Sequence, residues 1–345
     1  MQLSHQCIPI MLDIMDRHNN GEDVTRDLNQ LLDHEDYAIQ FEFFNNHHAN
    51  IGFTKEEYIN FFKNINTITP DDLSSKALSM RINDLKHIKT NTGYYRTIYD
   101  KVKAIDENHL NKAVEWVNNG LPEPIDVSNI KQIVAIGLGV TGGFNYKHHC
   151  FYDLKVTCSD KSTQGILHTI AHELYHEGFK ANFSGKVDFL QCTPAGYLAY
   201  LLSQEGLAVK HGNNFEGILT KRIRHDDEMT VNQVSYDYYI KNFTSIYKGF
   251  QKDMAMLQSI NSITKEEVED LFVKHYLYRD VMIDGQMRKF YLRNPITYHL
   301  GADIWGVIYD MYGKEKIADI MLNLDQFANV FNNALRAINK NELLI

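Results

Sequence analysis

A mainly α-helical fold with a small β-sheet (α+β) is what the sequence predicts, on three observations. Helical apolar spacing runs almost unbroken from residue 8 to about residue 120. A short stretch rich in β-branched residues and glycine follows the break Leu121-Pro-Glu-Pro124. Helical spacing then resumes at Gly165 and continues almost to the C-terminus. The chain of 345 residues suits about two domains. The expected division is a helical N-terminal region over 1–126 and a second region over 127–345, with a small sheet followed by helices.

Hydrophobic residues at 44% and charged residues at 23% are ordinary globular values, so a sizeable core can form. Lys+Arg 35 against Asp+Glu 44 gives a net charge of −9, which argues against nucleic acid as a partner. The four cysteines, Cys7, Cys150, Cys158 and Cys192, include no C-x-x-C pair and are too few for a disulfide framework. Free thiols in a reducing compartment are expected. The N-terminal residues lack a basic and then apolar leader, and no run of about 18 apolar residues occurs. A soluble, cytoplasmic protein without a membrane partner is the resulting expectation.

In the first region, Thr54-Lys-Glu-Glu57 reads as a capping box ahead of Tyr58, Phe61 and Phe62, and Thr69-Pro70-Asp71-Asp72 as a helix start. The aromatics Phe41, Phe43, Phe44, Phe53, Tyr58, Phe61 and Phe62 are expected to be core, and His47-His48 surface or loop. Ile130, Ile133, Val134, Ile136 and Val140 then suggest a strand. The segment from Gly137 to Gly142 matches G-x-G-x-x-G after that strand, and Asp160 follows a second strand-like run, Leu154-Lys-Val-Thr157. A dinucleotide-binding oxidoreductase is therefore a rival reading. It requires a helix opening on the last glycine, and Gly143 to Tyr152 has no helical period, so a turn or hairpin is expected instead. His148 and His149 lack partners at metal-ligand spacing and are read as loop residues.

The stretch Gly165 to Phe179 contains His172-Glu173-Leu174-Tyr175-His176, the pattern H-E-x-x-H. Ile166, Leu167, Ile170, Ala171, Leu174 and Phe179 recur at helical spacing, so His172 and His176 project from one face, one turn apart. Two imidazoles so placed can bind one zinc ion, and Glu173, about 100° round the helix, can reach a water on it as general base. Such polar residues have no packing reason to sit in an apolar helix. A catalytic zinc needs three protein ligands and an open position. Glu205 is the third candidate: it sits in a second helical run, Gly196 to Val209, 205 − 176 = 29 residues beyond His176, far enough for a turn and a returning helix. His168, one turn before His172, is expected to support the site or face substrate rather than bind a second metal. A metal-binding protein without catalysis is the other alternative.

With H-E-x-x-H on one helix and Gln204-Glu205-Gly206 on the next, the sequence resembles the gluzincin metallopeptidases, particularly zinc-dependent peptidases of uncharacterised families. The resemblance covers about residues 127–312. It implies zinc held by His172, His176 and Glu205, a peptide or protein substrate, and hydrolysis with Glu173 as general base. It also implies a sheet edge that holds extended substrate, for which Phe151 to Cys158 is the candidate strand. Better-known gluzincins carry an aspartate four residues after the ligand glutamate; here that position is Val209, so the partner orienting an imidazole must come from elsewhere.

Beyond Glu205, Asn213 to His225 reads as a charged helix or linker and Val231 to Ser259 as a long helix. Thr264 and Glu267 form another capping box. Pro295 suits a helix start and Gly313 its end, with Tyr298-His299 in the first turn. In the gluzincin resemblance a downstream tyrosine or histidine donates a hydrogen bond to the oxyanion, and Tyr298 is the candidate, with His299 beside it.

Overall fold

The structure, a computed structural model, describes residues 1–47, 53–73, 76–138, 143–260, 262–283, 286–291 and 293–345. It is mainly α with a small mixed sheet. Two compact units divide the chain: Met1–Asn111 with Asp126–Leu167, and Lys112–Ile125 with His168–Ile345.

The first unit contains helices Cys7–Asn19 (α1), Thr25–Leu32 (α2), Glu35–His47 (α3), Lys55–Lys63 (α4), Lys76–Thr90 (α5) and Thr92–Lys103 (α6); Glu107–Asn118 (α7) runs on into the second. The helix starts are local and follow the sequence. Thr54 Oγ1 accepts the Glu57 N–H at 3.1 Å while the Glu57 carboxylate accepts the Thr54 N–H at 2.6 Å. Thr69 caps only a single turn, Pro70–Asp72. Phe41, Phe44, Phe53, Tyr58, Phe61 and Phe62 are buried core.

Strands Gln2–Ser4 (β1), Lys131–Ala135 (β2), Gly143–Tyr146 (β3) and His149–Asp153 (β4) pair in the order β1-β2-β4-β3. β2 runs parallel to β1 and β4, and β3 is antiparallel to β4. The hairpin turns at Lys147-His148, both with left-handed φ (48° and 60°), as a two-residue primed turn requires. Tyr37 and Tyr58 donate their hydroxyls to the carbonyls of Ile136 and Gly137, seating the helices on the end of β2.

Three sequence expectations fail in this unit, the first at His149, which opens β4 instead of lying in a loop. β4 is an interior strand, so the segment Phe151 to Cys158 is not a sheet edge. Leu154–Cys158 is a wide helical turn rather than a strand, because Asp153 Oδ1 accepts the N–H groups of Lys155 (3.0 Å) and Val156 (3.1 Å) and curls the chain at once. Of the glycine-rich segment, residues 139–142 lie outside the described residues, as does His48. The residues that follow it form β3, so no helix opens on Gly143 and the dinucleotide fingerprint lacks its second half.

The second unit contains most of Thr163–Phe183 (α8), then Pro194–Gly212 (α9), Gln233–Ser259 (α10), Lys265–Phe272 (α11), the hairpin Tyr278–Ile283 (β5) and Gln286–Tyr291 (β6), His299–Leu322 (α12) and Phe327–Ala337 (α13). Gly313, at φ 78°, breaks α12 where its sequence predicts an end. Asn213 to Asn232 is a loop without a helix. It is held by the buried Asp303 of α12, whose carboxylate accepts the N–H groups of Ile218, Leu219 and Thr220 at 2.8–3.0 Å and the Tyr239 hydroxyl at 2.5 Å. Among the described residues no helix is long and apolar enough to cross a membrane.

Candidate metal centre

α8 and α9 carry the three proposed ligands. Ser162 Oγ caps α8 by accepting the Gly165 N–H, and Thr193 with Pro194 starts α9. Leu167, Ile170, Ala171, Leu174 and Tyr175 are wholly buried, and on this apolar helix His172 and Glu173 are themselves 6% and 7% exposed. Gly212 lets the end of α9 rest on α8, since a Cβ there would stand 2.5 Å from the His172 backbone nitrogen.

The consequence is a triangle of donor atoms. His172 Nε2 lies 3.2 Å from His176 Nε2 and 3.4 Å from Glu205 Oε2, and His176 Nε2 lies 3.3 Å from the same oxygen. Ligand atoms about 2.0–2.1 Å from a tetrahedral zinc stand about 3.3–3.4 Å from one another. The triangle therefore has the size of one face of that tetrahedron, and its two imidazoles and one carboxylate are the donor types zinc takes in catalytic sites. Electron-rich atoms held this close repel unless positive charge lies among them. The residues present fit the ion.

His172 is oriented from outside the triangle. Its Nδ1 lies 2.8 Å from Asn213 Oδ1, at the C-terminal cap of α9. The sequence reading missed Asn213; the signal available was an amide side chain directly after Gly212, where a helix reaching back toward its predecessor must end. Val209 is core, 1% exposed.

Of the remaining candidates, Tyr298 is half-buried with its ring centroid 5.6 Å from that of His172. His299 is instead core, 2% exposed and stacked on Phe215 at 5.3 Å, and burial pushes its imidazole down to about 3. His168 is wholly buried, stacked on Trp116 at 4.7 Å, with Nδ1 2.7 Å from the Gly212 carbonyl; it ties α8 to the end of α9 and stands outside the triangle. Burial lowers its pKa to about 4. Glu177 pairs with Lys180 and Glu216 with Arg222, so neither replaces Glu205.

A second group of potential ligands, Cys7, His34 and Asp36, occurs in the first unit. Its donor atoms already have partners within the protein. His34 Nδ1 accepts the Asp36 N–H at 3.2 Å, the Asp36 oxygens take Ser4 Oγ at 2.6 Å and Lys131 Nζ at 2.8 Å, and burial pushes the Cys7 thiol up to about 12.

Compared with known proteins, the chain matches the model of a family described as "Putative zinc dependent peptidase (DUF5700)" over residues 28–340. No curated protein and no solved structure matches it. The match takes in both helices of the triangle and most of both units, so the chain belongs to this family.

Proposed function

We propose that the protein hydrolyses peptide bonds, with zinc held by His172, His176 and Glu205 and with Glu173 as general base. The observation that carries this reading is the near-equilateral triangle of Nε2, Nε2 and Oε2 atoms, 3.2–3.4 Å on a side. Family membership supports the same chemistry. When bound, zinc lowers the pKa of its water toward ~7 and polarises a carbonyl. Glu173, one position after His172 and therefore about 100° round α8, takes the proton of the attacking water and passes it to the leaving amine. Tyr298 donates its phenol hydrogen to the oxyanion. His176 is the most open of the three ligands, its side chain 19% exposed against 8% for His172 and 10% for Glu205, and substrate enters on its side. The substrate is a peptide or protein segment, and the compartment is the cytoplasm, where the four unbridged thiols stay reduced.

The test pairs metal analysis with hydrolysis of a diverse peptide mixture read by mass spectrometry. Wild type should hold about one zinc per chain, Glu205→Ala should lose it, and Glu173→Gln should keep it while hydrolysis falls roughly 10²-fold or more. Full activity in Glu173→Gln would remove the general base. Stoichiometric zinc with no hydrolysis by wild type would leave a metal-binding protein without catalysis.

A further inference from the structure

The imidazole partner that the sequence lacks at Val209 has a replacement one helical turn further along the chain. We infer that Asn213 is the positioning residue for His172: its amide oxygen accepts the Nδ1 proton and so presents Nε2, as a lone pair, to the metal. The inference rests on the reading of His172 as a zinc ligand and adds the group that fixes its tautomer.

A neutral imidazole carries one proton, and only the nitrogen without it can bind a metal. An acceptor fixed at Nδ1 therefore decides that Nε2 is the ligand atom. At 2.8 Å, Asn213 Oδ1 is such an acceptor.

The surrounding chain holds Asn213 in place from both sides. Its N–H donates to the Val209 carbonyl at 3.1 Å, and its own carbonyl accepts the Thr230 N–H at 3.0 Å. Before it, the carbonyls of His211 and Gly212 are taken by Arg224 Nη1 (2.8 Å) and His168 Nδ1 (2.7 Å). After it, Asn214 turns the chain with φ 55°; its amide donates to the carbonyls of Arg224 and Asp227 and accepts the Arg224 N–H at 2.9 Å. None of these bonds uses the Asn213 side chain. That amide is left to meet His172, and replacing it removes none of the loop bonds.

An uncharged partner also has a distinctive consequence. A carboxylate at the same point would accept the same proton and make the ring a stronger ligand. Asn213→Asp and Asn213→Leu should thus move zinc affinity in opposite directions, whereas a mere helix cap would respond to the loss of the amide in both.

The experiment measures zinc affinity by chelator competition for full-length wild type, Asn213→Leu and Asn213→Asp, together with the visible spectrum of the cobalt-loaded proteins and the melting temperature of the metal-free ones. Asn213→Leu should bind zinc about 10–100-fold more weakly, with an altered cobalt spectrum and little change in melting. Asn213→Asp should bind more tightly than wild type. Wild-type affinity in Asn213→Leu, or equal losses in both variants, overturns the inference. Should Asn213→Leu fail to fold, weakened zinc binding in a folded Asn213→Asp overturns it alone. A wild type that binds no zinc would instead bring down the metal reading beneath it, with this inference.

Discussion

Tyr298 and His299 are neighbours in sequence with opposite surroundings. Consecutive positions entering a helix diverge by about 100°, so the two side chains meet different neighbours. His299 is the core residue, packed among Phe215, Tyr236 and Tyr239, while the Tyr298 ring stands beside His172. The proposed donor role makes these two positions separable. A phenol aimed at the oxyanion acts in the transition state, so Tyr298→Phe should lower kcat by roughly 10²–10³-fold with KM, zinc content and melting temperature nearly unchanged. His299→Ala should instead melt earlier, because it empties a packed ring site. Steady-state kinetics with calorimetry on both variants checks this. Wild-type kcat in Tyr298→Phe would show that its ring only packs.

The helices that carry the proposed ligands meet their neighbours through glycine, which gives a physical reason for the small residue after Glu205. A Cβ on Gly206 would stand 2.3 Å from the Gly301 carbonyl carbon, and one on Gly301 would stand 2.5 Å from the Leu202 oxygen, so α9 and α12 touch backbone to backbone. Gly206→Ala must push them apart, and Glu205 with them. It should cost about 1–3 kcal/mol of stability and weaken zinc binding. The control is Gly249 in α10, where an added Cβ meets nothing within 4 Å. There alanine should stabilise by about 0.5–1 kcal/mol, since it only restricts the unfolded chain. Thermal melts of the pair test the contact, and similar shifts in both would show that no close approach exists. These elements also mark what the sequence could reveal. Capping boxes at Thr54 and Thr264 and the four-residue spacing of His172 and His176 are local, decided within one or two turns, and are legible without a fold. The pairing of β1 with β2 joins residues more than a hundred positions apart, and the meeting of Asn213 with His172 depends on where α9 ends. Leu154 to Thr157 misled because its apolar run outweighed, on paper, the Asp153 side chain that bends it into a turn.

For the molecule as a whole, the buried histidines of the second unit fix how stability depends on pH. His168, His211 and His299 are 0%, 0% and 2% exposed. Burial lowers His168 to about 4 and His299 to about 3, and holds His211 well below its ordinary range, helped by the nearby charges of Lys210 and Arg224. In the unfolded chain each titrates near 6.5. As pH falls below about 6.5, unfolding therefore takes up a proton at each of the three, and stability present at neutral pH is lost on the way down to about 4. Asp303 works in the opposite direction. Burial raises it to about 6 despite its hydrogen-bond donors, so between about 6 and 4 the folded chain holds a proton that the unfolded chain has released. These four groups alone give a net uptake of about two protons near pH 5, a loss of roughly 2–3 kcal/mol per pH unit, and His5 and His18, also lowered by burial, add to it. The measurement is made on metal-free protein, because metal binding is itself pH-dependent. Urea unfolding of the zinc-free protein should accordingly show a midpoint that is level above pH 7 and falls steeply from about 6 to 4. His299→Phe keeps an aromatic ring against Phe215 but removes one titrating group, and should lower that slope by about 1.4 kcal/mol per pH unit. A midpoint that is flat or rises on acidification, or a slope unchanged by His299→Phe, would show that these imidazoles are already protonated or reach water in the folded state.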